Sequence, residues 1–72
     1  MAKDTIELEY DAVDEAYRER VGHLFGILCT NLTTASDAKG EKASVDQFAR
    51  GLAVFRKARE LARGAADGLK SK

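Results

Sequence analysis

Acidic side chains crowd the start of this chain, and they are the first candidates for chemistry. Asp11, Asp14, Glu15 and Glu19 would be neighbours on one helix. Carboxylate-bridged di-iron bundles, however, pair such acids with Glu-x-x-His motifs. The only histidine is His23, and no such motif contains it. His23 and the only cysteine, Cys29, stand six residues apart, so they do not share a helix face, and no transition-metal set forms. His23 falls among Gly22, Gly26 and Thr30, a solvated position where Glu19 would pair with its protonated form. Cys29 lies near an apolar stripe and reads as a small buried hydrophobe. Tyr10 and Tyr17 lie seven apart and read as core rings with their hydroxyls at the rim. No nucleophile stands beside a base and a group to orient it. A short chain also has little room for a ligand pocket of roughly 300 Å³. The expectation is a non-enzyme with no metal and no cofactor.

The second candidate chemistry is cationic. Arg56, Arg59, Arg63 and Lys70 recur at steps of three, four and seven, forming a ridge along one helix edge. Such a ridge suits phosphate, nucleic acid or an acidic partner. No aromatic residue interleaves it, and no base-reading motif accompanies it.

The elements that would carry these residues are helical. Ile6, Tyr10, Val13, Tyr17, Val21, Leu24 and Leu28 follow steps of three and four, and Phe25, Cys29 and Leu32 widen the stripe. The spacing predicts a helix over 11–32, either starting as early as Asp4 or preceded by an arm at 1–10. Residues 5–10 alternate apolar and polar, so the arm reads equally as a short strand. A strand before two helices resembles, in layout alone, the ribbon-helix-helix DNA-binding proteins. Their strands offer polar or basic side chains to the groove, whereas this one would offer Glu7 and Glu9. A polar joint occupies 33–43. Ser44-Val45-Asp46-Gln47 then fits a capping box, predicting a second helix over 44–68 and a tail at 69–72. Phe48, Leu52, Phe55, Ala62, Ala66 and Leu69 form its stripe, and Gly68 reads as its terminator. Gly51 and Gly64, inside that helix, would permit a close helix–helix approach.

The chain has 72 residues, with 12 Lys/Arg against 12 Asp/Glu, and 44% of it is hydrophobic. That composition sets aside disorder and a general nucleic-acid coat, which carries a basic excess. The zero net charge is segregated. Residues 1–19 hold seven acids and two bases, and residues 50–72 hold seven bases and two acids. An antiparallel hairpin turning near residue 38 would bring Asp14 near Arg63 and Glu7 near Lys70.

Two helices can press only one stripe against another, and below roughly 70–80 residues a lone core supplies few kcal/mol. The predicted fold is all-α: a helical hairpin that dimerises into a four-helix bundle. Val21, Phe25, Leu28, Leu32, Val54 and Leu61 supply the extra apolar width, and the core or interface set adds Tyr10, Val13, Tyr17, Leu24, Phe48, Leu52 and Phe55. The alternative is a monomer whose amino-terminal segment covers the hairpin. The longest apolar-rich run is 21–32, too short for a membrane span of about 20 residues. With one thiol and no export signal at the first residues, the expected compartment is the cytoplasm. The expected function is a small protein-interaction or regulatory module that acts as a homodimer. The alternative is a small nucleic-acid-binding regulator that uses the basic ridge.

Overall fold

The computed structural model describes residues 4–70, with the side chain of Lys70 outside the described set. It contains two α-helices that pack antiparallel, α1 (Thr5–Thr34) and α2 (Ala38–Lys70). The chain is all-helical and hairpin-like.

Helix α1 begins six residues earlier than the predicted 11–32 and ends two later. Asp4 is extended at φ −61° and ψ 154°, and its carbonyl accepts the Leu8 amide at 3.1 Å. The described part of the 1–10 arm is therefore helix from Thr5, not strand. In that helix Ile6 becomes the most buried apolar residue at 7% exposed. The strand alternation would have relied on Leu8, which the helix leaves 55% exposed. Ile6 belongs to both periods, so the exposure of Leu8 is what decides between them. Glu7 lies in the first turn, where the helix dipole favours an acid.

The last turns of α1 carry the hydroxyls that weaken a helix. Thr30, Thr33 and Thr34 donate back to the carbonyls of Gly26, Cys29 and Asn31 at 3.1, 2.8 and 3.1 Å. Ala35 is extended and closes the helix by donating to the Asn31 carbonyl at 3.0 Å.

The joint is far shorter than the predicted 33–43, because α2 starts at Ala38 rather than at residue 44. Asp37 is the capping residue: its Oδ1 accepts the Gly40 amide at 2.8 Å, and its carbonyl accepts the Glu41 amide at 3.1 Å. Ser44, expected to cap, lies inside the helix, is 8% exposed and donates to the Gly40 carbonyl at 3.0 Å. Gln47 accepts instead from Asn31 of α1 at 3.4 Å, across the turn end of the hairpin. At the other end α2 continues through Gly68 to Lys70, and no described glycine takes a positive φ.

Leu24 of α1 seats against α2 at Gly51. A Cβ placed on Gly51 would sit 2.8 Å from Cδ2 of Leu24, so the bare backbone of α2 is what receives that side chain. Gly64 has open space around it and serves no such approach. Leu24 and Ile6 are the only buried apolar residues among the described residues.

The hairpin measures 53 × 22 × 9 Å over its Cα atoms, with a radius of gyration of 16.6 Å. A compact chain of this length has about 11 Å. Its accessible surface is 5670 Å², against about 4,400 Å² for a folded monomer of the same mass. A flat pair of helices one layer thick accounts for both numbers.

Candidate functional site

The strongest cross-helix contacts lie toward the open end of the hairpin. Asp14 of α1 meets two arginines of α2. Arg59 Nε donates to Asp14 Oδ1 at 2.8 Å, and Arg63 approaches Asp14 Oδ2 at 3.3 Å. The three side chains are 34–40% exposed. The hydrogen bond from Arg59 holds the Asp14 carboxyl below its ordinary range. Partial burial opposes this, and the charges of Arg59 and Arg63 add to the lowering. Each guanidinium also faces a tyrosine ring, Arg59 over Tyr17 at 5.6 Å and Arg63 over Tyr10 at 4.0 Å. The Tyr10 hydroxyl donates to Asp67. Charge segregation anticipates the Asp14–Arg63 meeting; the tyrosine platforms carry no sequence signal, since Tyr10 and Tyr17 are seven residues apart and Arg59 and Arg63 four.

Of the basic ridge, Arg59 and Arg63 are thus turned inward onto Asp14. Arg56 is exposed and makes no ion pair among the described residues. The side chain of Lys70 lies outside the described residues, and with it the expected Glu7 pairing.

Asp14 and Arg59 touch, so they mark one common face of the hairpin. Steps of 7, 11, 14 and 18 residues return to the same side of a helix. Counting forward from Asp14 places Val21, Phe25, Leu28 and Leu32 on that face. Counting back from Arg59 adds the apolar Leu52, Phe48 and Val45, and the last step reaches the acidic Glu41 beside the turn. The seven apolar residues form a cluster confined to the turn-end half, with the ion cluster on the other half. Phe25, Val45 and Leu32 are 57%, 50% and 39% exposed. Val21, Leu28, Phe48 and Leu52 are half-buried.

The opposite face is also partly apolar. Leu61 lies two residues from both Arg59 and Arg63, so it points the other way, and Val54 is one heptad before it. Both are more than 60% exposed. Ile27, two residues from Phe25, joins them. A shallow groove of about 250 Å³ is lined by residues of both helices, Val13, Ala16, Tyr17, Arg20, Phe55, Ala58, Arg59 and Ala62. The apolar width read as one flank from the sequence is therefore divided between two faces. Of the expected core set, Leu24 is buried. Tyr10, Val13, Tyr17, Val21, Leu28, Phe48, Leu52 and Phe55 are half-buried, while Phe25, Leu32 and Leu61 are exposed.

Cys29 is exposed, contrary to its reading as a buried hydrophobe, because it sits beyond the edge of the stripe. His23 is exposed as expected. Among the described residues no group of three or more His, Cys, Asp or Glu could hold a metal ion. No described helix is long and apolar enough to cross a membrane.

The class these features define is an all-α helical hairpin with uncovered apolar faces. Compared with known proteins, the chain matches no family model, no curated protein and no solved structure.

Proposed function

We propose that this chain is a non-enzymatic protein-interaction or regulatory module that works as a homodimer, two hairpins forming a four-helix bundle. The observation that carries this reading is the surface excess. A 7.8 kDa chain exposing 5670 Å² leaves roughly 1,300 Å² more in water than a folded monomer of its mass. The exposed surface includes Phe25, Leu32, Val45, Val54 and Leu61, each 39–63% exposed. Covering such side chains gives about 25 cal/mol per Å² of apolar area, and a second copy is the cover always at hand. A pair joined through one face leaves the other for a different protein. The exposed thiol of Cys29 suits a reducing cytoplasm.

The nucleic-acid alternative relies on Arg56, Arg59, Arg63 and Lys70. Asp14 pairs with the middle two, offsetting one of their two charges and turning both inward, which favours the interaction module. The two readings separate on mixing the protein with generic DNA and RNA at low and moderate salt. The interaction module gives no complex at either salt. A complex that forms at low salt and dissolves as salt rises would transfer the assignment to the nucleic-acid reading.

A further inference from the structure

We infer that two copies of this chain meet through the Asp14 face, turn end on turn end, with the twofold axis running along the helices. This rests on the homodimer reading and specifies which surface makes the pair and in which direction. Three observations lead to it.

The first is area. The excess of roughly 1,300 Å² per chain is comparable with one whole face of a 53 × 22 Å hairpin. Two such faces total about 2,600 Å², inside the range of roughly 2,000–5,000 Å² for obligate homodimers. A contact between the turns alone would fall short of this, so the overlap is full-length.

The second is the unequal division of the Asp14 face. Its turn-end half is apolar apart from Glu41, with Phe25 57% exposed at the centre. Its open-end half carries Asp14, Arg59 and Arg63. In a full-length overlap with the turns at opposite ends, each apolar cluster would be buried against the partner's ion cluster. With the turns together, apolar meets apolar. The opposite face shows no such cluster: by the same helical steps Ile27 shares its side of α1 with His23, Arg20 and Ala16 rather than with large apolar residues.

The third is charge. A twofold axis along the helices sets α1 of one copy against α2 of its partner, antiparallel. The segment 1–19, with seven acids against two bases, then lies beside the partner's segment 50–72, with seven bases against two acids. An axis across the helices would instead set α1 on α1 antiparallel, with each 1–19 segment beside the partner's residues 20–34, which hold one arginine and no acid. The complementary pairing of acidic and basic segments is then lost, and that complementarity selects the axis along the helices.

The test uses the full-length chain. A nitroxide on Ser36→Cys, in a Cys29→Ser background, reports the distance between the two turns by pulsed electron resonance. Turns together give a separation of roughly 20 Å, about two interhelix spacings. Turns opposed give a separation near the 53 Å hairpin length, and a dimer with that distance overturns the inference. The face is tested by Phe25→Glu and Leu61→Glu, both exposed positions whose helicity is checked by circular dichroism. Phe25→Glu should weaken association by roughly thirtyfold or more, the effect of a hot-spot residue, while Leu61→Glu leaves it within about threefold, as expected outside the interface. The reverse pattern overturns the choice of face yet keeps the dimer. A wild-type mass of 7.8 kDa removes the homodimer reading itself, and the inference with it.

Discussion

Arg59 Nε donates to Asp14 Oδ1 at 2.8 Å, joining residues 45 apart in the sequence. This bond, with Arg63 beside it, fixes the antiparallel register at the open end. It also depends on the charge of Asp14. A carboxyl whose folded pKa is depressed stabilises the fold above its unfolded value of about 3.9. That contribution is lost as pH falls through the lower folded value. Asp14→Asn should therefore lower the melting temperature between pH 5 and 7, and the gap to wild type should close below about pH 4. Equal melting curves at pH 7 would mean the arginines gain nothing from the carboxylate.

Gly51 and Gly64 make a matched pair of substitutions. Each glycine inside a helix costs about 1 kcal/mol relative to alanine. A Cβ on Gly64 meets nothing within 4 Å, so Gly64→Ala should stabilise by about that amount. A Cβ on Gly51 meets Leu24 methyls at 2.8 and 3.0 Å, and Leu24 is itself buried. Gly51→Ala should therefore recover less, or destabilise. Chemical denaturation of both variants checks this. Equal gains would show that Leu24 does not seat against the α2 backbone.

The start of α2 is tested by two alanine substitutions. Asp37→Ala removes the side chain that accepts the Gly40 amide and should cost about 1 kcal/mol. Ser44→Ala removes an in-helix hydroxyl bonded to the Gly40 carbonyl and should change stability by about 0.5 kcal/mol or less, with helix propensity in its favour. The opposite order would return the cap to Ser44.

The all-helical hairpin was legible because the steps of three and four in Ile6, Tyr10, Val13, Tyr17 and Val21 outweigh any competing period. The Asp14–Arg63 meeting was legible because opposite charges are segregated by position. The start of α2 was not. Ser44 and Gln47 carry the right types at capping-box spacing, but Ala38, Lys39, Lys42 and Ala43 are good helix formers that let the helix run back to Asp37. The sequence alone also placed Phe25 and Leu61 in one apolar set. Only the contact of Asp14 with Arg59 assigns a face to each helix, and with it the separation of those two residues onto opposite sides.

The central claim is that the apolar face is covered by a second copy, and sedimentation equilibrium at micromolar concentration tests it most directly. A homodimer has a mass of twice 7.8 kDa and a melting temperature that rises with concentration. A single species of 7.8 kDa with a concentration-independent melt would contradict it.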